Sequence, residues 1–262
     1  METGQITKSA AEVYEEFFVP ALFGEWSPRV CESAGVAMGQ QVLDVACGTG
    51  VVAREAARRG AKVVGLDRNP SMLAVARRLA PGVDWREGLA EELPFEDGGF
   101  DAVLSQFGLM FFGDRVKALA EMWRVLKPGG CLTVAVWDSL ESTPGYRAMV
   151  HLLQHLFGAE VAAGLRAPFV LGDRGELHVL FEAAGIAKPC IETQRGDARF
   201  PSIEDWVRTD VKGWTLADAI DSAQYSKLQK AAQQELQEFA GVDGFVRFDS
   251  PAHIVTALKL TD

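Results

Sequence analysis

No CxxC pair occurs in the 262 residues, and the four cysteines, Cys31, Cys47, Cys131 and Cys190, stand far apart. That spacing excludes a zinc ribbon and a dithiol redox motif, and implies reduced, mostly buried thiols. Histidine is as scarce, at four residues. His151 and His155 can share a helix face, but no glutamate follows the first, so the pair lacks the metalloprotease pattern and reads as a partly exposed surface. No metal site is expected. Long apolar runs are missing too: stretches such as Leu109 to Phe112 and Cys131 to Trp137 fall short of the roughly 20 residues that cross a bilayer. Met1 to Ala11 is polar with mixed charge and lacks the apolar centre of a secretory signal, which points to the cytoplasm. Positive charge is in deficit, with 26 Lys and Arg against 36 Asp and Glu, a net −10. A nucleic-acid partner, which needs clustered cations to displace counterions, is therefore not expected. Paired arginines such as Arg58 and Arg59 sit at helical positions and read as solvated faces.

What is present is an ordinary globular composition, 48% hydrophobic and 24% charged, arranged as alternating strands and helices. Apolar runs at Gln41 to Ala46, Lys62 to Leu66, Val83 to Arg86, Phe100 to Ser105 and Cys131 to Trp137 read as strands. Helical patterns at Val51 to Arg59, Pro70 to Leu79 and Arg115 to Leu126 lie between them, the last stopped by Pro128-Gly129-Gly130. This alternation implies parallel pairing through right-handed crossovers, hence a doubly wound α/β sheet. Beyond Asp138 it loosens. Helices are expected near Tyr146 to Phe157, Gly175 to Ala184, Ile203 to Gly213 and Gln224 to Phe239, and strands near Cys190 to Arg195, Gly244 to Phe248 and Ala252 to Leu260. The chain reads as one domain, with N-terminal helices over 1–40, a core over 41–138 and a half over 139–262 that carries a helical insertion at about 202–241.

In such a sheet ligands bind beyond the carboxyl ends of the strands. The first loop reads Val42-Leu43-Asp44-Val45-Ala46-Cys47-Gly48-Thr49-Gly50, whose glycines allow a tight turn and close approach of a ligand to the backbone. Gly48 to Ala53 also fits the G-x-G-x-x-A dinucleotide fingerprint, and Asp67 after the second strand suits the ribose of either an adenosine or an NAD ligand. The glycines alone leave a nicotinamide oxidoreductase open.

Four stretches taken in order resemble the motifs of the class I S-adenosylmethionine-dependent methyltransferases. They are Leu43 to Gly50, then Gly65-Leu66-Asp67-Arg68-Asn69-Pro70-Ser71-Met72, then Glu87-Gly88-Leu89-Ala90-Glu91-Glu92-Leu93-Pro94-Phe95, and finally Leu126 to Gly130. The N-terminal run from Glu12 to Phe18 and on to Trp26 is similar to the lid helices of the subgroup that includes ubiquinone and menaquinone methyltransferases. The resemblance implies a Rossmann-like fold with a seven-stranded, mostly parallel sheet, S-adenosylmethionine as cofactor, and a set of site residues. Asp44 and the backbone of Ala46, Cys47, Gly48, Thr49 and Gly50 would hold the methionine part, Asp67 the ribose, and Arg68 and Met72 the adenine faces. Leu89, Ala90 and Glu91 would meet the adenine edge, Gln106 and Phe107 would lie near the reactive methyl, and Tyr14, Phe18 and Trp26 would form the lid.

One departure stands out: Leu89 occupies the place where the family has an aspartate for the adenine amino group, and Glu91 or a backbone carbonyl is the expected substitute. No catalytic base is assigned, although Asp138, His151 and His155 are candidates by position. An aromatic rim from Phe107 to Phe112, with Trp137 and the cap residues Trp206 and Trp214, suggests a small, partly apolar methyl acceptor such as a quinone, lipid-like molecule or secondary metabolite. The alternative from another class is a non-catalytic S-adenosylmethionine-binding protein.

Overall fold

The computed structural model describes residues 8–213, 216 and 219–261. Trp214, expected on the cap, lies outside the described residues. Five strands alternate with helices as the apolar runs imply: β1 (Gln41–Val45), β2 (Lys62–Asp67), β3 (Asp84–Glu87), β4 (Phe100–Gln106) and β5 (Leu126–Trp137). Two later strands, β6 (Cys190–Gln194) and β9 (Ala252–Leu258), complete a seven-stranded sheet in the order β3-β2-β1-β4-β5-β9-β6. β9 runs antiparallel to both of its neighbours, while the pairings among the first five strands are parallel. β1 has no exposed position, as befits a central strand covered on both faces. Strand order reverses between β1 and β4, so the crevice that such a sheet offers to a ligand opens at their carboxyl ends.

The N-terminal segment begins as α1 (Lys8–Val13), widens into a π-helical stretch over Tyr14–Phe23 and continues as α2 (Trp26–Ser33). Pro20 lies inside the wide stretch; it has no N–H to give and would crowd an ordinary α-turn. Of the crossover helices α3 (Val51–Arg58), α4 (Pro70–Leu79) and α5 (Arg115–Val125), α4 starts where Asn69 accepts from the Ser71 N–H and Pro70 fills the first turn. α5 ends under a cation. Lys259 Nζ donates to the carbonyls of Trp123 and Leu126 at 2.7 and 2.8 Å, meeting acceptors that a helix terminus leaves free.

The expected stop at Pro128-Gly129-Gly130 is instead part of β5. The strand is extended from Leu126, which pairs with Phe100. Gly129 N–H donates to the Lys259 carbonyl and Lys259 N–H to the Gly130 carbonyl, so pairing with the chain's end keeps this glycine-rich stretch extended.

After β5 come α6 (Pro144–Phe157), α7 (Ala159–Arg166) and α8 (Arg174–Ala183). Between β6 and β9 an antiparallel ribbon of β7 (Asp197–Phe200) and β8 (Val246–Asp249) carries α9 (Ile203–Gly213) and α10 (Ser222–Glu235). The ribbon was not legible as such, because β7 spans four residues with just two buried. A second aromatic core joins this insertion to α6: Trp206 packs 4.8 Å from Phe248 and edge-on to Tyr146, centroid to centroid. The Tyr146 hydroxyl donates at 3.3 Å to the buried Asp210. No helix among the described residues is long and apolar enough to cross a membrane.

Trp85 of β3 wedges the crevice side of the sheet. A Cβ on Gly65 would lie 2.3 Å from its ring, and one on Gly50 equally close. The indole N–H donates to the Ala80 carbonyl at 2.9 Å, which favours this ring orientation. Gly65→Ala is expected to lower the stability measured by urea unfolding by about 1 to 3 kcal/mol, the usual cost of overpacking. Trp85→Leu in the same chain should relieve much of that loss, giving a non-additive double-mutant cycle.

Candidate functional site

β1 ends at Val45, and the chain then turns sharply. Ala46, Gly48 and Gly50 all adopt positive φ, at 57°, 55° and 87°, a region that glycine enters freely and alanine only under constraint. Cys47 N–H donates to the Leu66 carbonyl at 3.0 Å, and Gly50 N–H to the Cys47 carbonyl at 2.8 Å. The turn is thus bonded to β2 as well as to itself.

Asp67, at the end of β2, fastens it further. Its Oδ2 accepts from Gly48 N–H and its Oδ1 from Asn69 N–H, both at 2.8 Å. Asp44 lies beneath the loop, 1% exposed, with Oδ2 accepting from Ala53 N–H of α3 at 2.9 Å. Burial pushes the Asp44 carboxyl up to about 8, with the Ala53 N–H opposing and the charge of Asp67 adding to the rise. Burial also raises Asp67, against the pull of its two N–H donors and Arg68.

Aromatic rings roof this loop. The Tyr14 ring lies over Gly48, 4.0 Å from where a Cβ would stand, and its hydroxyl is driven well above the usual range, by burial first and then by the nearby acids. Tyr14 stacks on Phe23 at 5.0 Å, Phe23 meets Phe107 at 5.6 Å, and Phe107 lies flat on Trp137 at 3.7 Å and 5°. Phe107 itself sits at φ 56°, turning its ring back over the end of β4. A close approach beside it depends on Gly108, where a Cβ would come within 2.7 Å of Ala46 Cβ. Phe18 and Trp26 are fully buried in the same packing. Phe17 carries the Arg208 guanidinium at 4.2 Å, and Glu25 Oε1 accepts from Asp197 N–H at 2.9 Å. The lid segment therefore bears on the insertion as well as on the loop.

The other expected residues fall in different settings. Met72 is buried against Ala11, Val75 and Tyr14, whereas Arg68 is exposed. Ala90 is buried and Leu89 half exposed. Glu91, the expected substitute for the missing aspartate, has its Oε1 accepting from the N–H groups of Gly113 and Asp114, at 2.9 and 3.4 Å, and so holds the turn before α5. Gln106 Nε2 donates to the Phe23 carbonyl at 3.2 Å. Among the described residues, Gln106 Oε1, Thr49 Oγ1, Ser105 Oγ and Glu15 Oε2 are buried without a hydrogen-bond partner. Asp138, the residue after β5, has Oδ1 3.4 Å from Nε2 of the buried His253, while His151 and His155 are exposed on α6.

Trp85, Phe23 and the Glu15–Arg54 pair escaped the sequence reading. Two glycines mark where the Trp85 ring lies, but in sequence they read as loop and strand glycines. An open hollow of about 420 Å³ lies apart from the loop, lined by Phe112 to Val116 and Leu180. No group of three His, Cys, Asp or Glu side chains among the described residues could hold a metal ion.

A family model described as a methyltransferase domain matches residues 43–134. The chain is 48% identical over 110 residues to the demethylmenaquinone methyltransferase of Renibacterium salmoninarum, covering 42% of this chain and 46% of that one. It is 35% identical over 177 residues to the demethylmenaquinone methyltransferase of Staphylococcus carnosus, covering 61% and 73%. The chain thus spans less than half the length of the first of these relatives and nearly three quarters of the second. In fold it is similar to phosphoethanolamine N-methyltransferase 2 of Haemonchus contortus, with a TM-score of 0.64, 21% identity, and 97% and 58% of the two chains covered.

The raised Asp44 carboxyl makes the fold pH-sensitive in a defined direction. The folded chain holds this proton up to about 8, while an unfolded aspartate releases it near pH 4, so wild-type stability declines between those values. Asp44→Asn keeps an oxygen for the Ala53 N–H and has no proton to lose. Its urea midpoint should match wild type near pH 4 and exceed it increasingly towards pH 8; a constant difference across that range would exclude Asp44 as the source.

Proposed function

The chain belongs to the class I S-adenosylmethionine-dependent methyltransferases, and from that membership we propose that it moves a methyl group from S-adenosylmethionine to a small, partly apolar acceptor. Membership removes the oxidoreductase that the glycines alone left open. The observation that carries the proposal is the set of buried polar atoms without protein partners, Thr49 Oγ1, Gln106 Oε1, Ser105 Oγ and Glu15 Oε2, around a loop with a glycine directly under a half-buried tyrosine. An amino-acid and ribose ligand carries the donors and acceptors that such atoms need.

In this proposal Asp67 receives the ribose hydroxyls. Its oxygens are already aligned by Gly48 and Asn69, and each keeps lone-pair capacity for a further donor. Met72 and Tyr14 supply apolar walls for the adenine, and Ala90 its edge. Leu89 in the aspartate's place leaves the adenine amino group to backbone acceptors. When bound, S-adenosylmethionine supplies an activated sulfonium methyl. The protein's task is then alignment and the exclusion of water, and positioning of this kind is worth roughly 7 to 11 kcal/mol of a barrier. The stacked Phe107 and Trp137, walled by Phe23, keep the end of β4 dry. An in-line approach of the acceptor along that wall is the geometry we favour.

The same rings favour an apolar, planar acceptor, and a quinol is the first to try, since two of the relatives are demethylmenaquinone methyltransferases. Calorimetric titration with S-adenosylhomocysteine should show one site per chain, and Asp67→Ala should weaken it at least about tenfold, the loss of charge-assisted hydrogen bonds. Labelled S-adenosylmethionine with demethylmenaquinol and a metabolite extract should place label in a small molecule. Label passing solely into protein or RNA would overturn the acceptor class, and binding without transfer to any acceptor would mark a non-catalytic binder.

A further inference from the structure

Glu15 follows Tyr14 on the lid, and its Oε1 accepts from Arg54 Nη2 at 2.8 Å. Arg54 lies in the first turn of α3, its N–H donating to the Gly50 carbonyl at 2.9 Å, so the ion pair joins the lid to the glycine loop. The side chains are 20% and 25% exposed for Glu15 and Arg54. Glu15 Oε2 is buried and has no partner among the described residues. A carboxylate oxygen in that state is strongly disfavoured until a donor reaches it.

Asp44, which the family resemblance assigns to the methionine part, is poorly suited to receive an ammonium group. It is 1% exposed, already accepts the Ala53 N–H, and burial favours its neutral form. The Glu15–Arg54 pair is different in kind. As a neutral pair it attracts a free cation or a free anion weakly, but a zwitterion can set its ammonium on Glu15 Oε2 and turn its carboxylate to the guanidinium, whose fork carries further donors. We propose that Glu15, held by Arg54, receives the α-ammonium of the amino-acid end of the cofactor; this rests on the function proposed above.

The alternative role for the pair is a latch that merely holds the lid shut, and two ligands separate the roles. S-adenosylhomocysteine carries the amino-acid end, while 5′-methylthioadenosine shares the nucleoside and thioether and lacks it. Calorimetric titration of wild type and Glu15→Gln with both should show S-adenosylhomocysteine weakened about ten- to hundredfold, the range for a lost charged hydrogen bond, and 5′-methylthioadenosine unchanged. Equal weakening of both ligands, or no change for S-adenosylhomocysteine, would overturn the assignment. Failure of wild type to bind either ligand would instead overturn the proposed function. Thermal melting of the ligand-free variant checks the fold; should E15Q melt early, Glu15→Asp, which shortens the reach by one methylene, is read by the same two titrations.

Discussion

The crevice rests on one carboxylate. Asp67 lies at the end of β2, yet its oxygens are bonded to N–H groups on either side of the crevice, Gly48 in the first loop and Asn69 ahead of α4. A buried acid holding two backbone donors helps fix the loop in its positive-φ course. That rigidity has a cost, since burial raises Asp67 and brings it near Asp44, whose own proton is then harder to lose. The loop's shape and its electrostatics therefore have the same origin.

Around that point, structure was legible in proportion to how local its cause is. The first five strands and α3 to α5 follow from periodic apolar runs and from caps such as Asn69-Pro70, and their ends shift by a few residues at most except at β5. There the glycines read as a helix stop, and their true setting depends on Lys259, some 130 residues later in the chain, pairing back onto Gly130. Of the β7–β8 ribbon, β8 falls where a strand is expected, whereas β7, four residues long, and the pairing across two intervening helices are not signalled locally, for the same reason. Nothing in a strand's own pattern announces a partner so far away.

At the crevice the contrast is sharper. Asp44, Asp67 and the glycines lie on contiguous motifs, and the fold brings them together at one loop. Glu91 lies two residues from Leu89, but proximity in sequence says nothing of direction, and its Oε1 accepts from Gly113 N–H. Glu15 lies in the run that resembles the lid helices and Arg54 just after the glycine loop, but neither pattern pairs them. They meet because the lid crosses α3, a consequence of how two distant helices pack.

The lid's far end bears on the insertion with equal closeness. Gly196, just before β7, has room for no side chain, because a Cβ there would stand 2.2 Å from the Trp26 ring. Arg29 meanwhile covers that ring at 4.6 Å and pairs with Glu25. The insertion is thus no detachable module. A chimaera that borrows the segment between β6 and β9 from a relative must bring the matching residues at 25, 26 and 29 with it, and change within the insertion is tied, through one tryptophan and one glycine, to the N-terminal segment whose Tyr14 roofs the glycine loop.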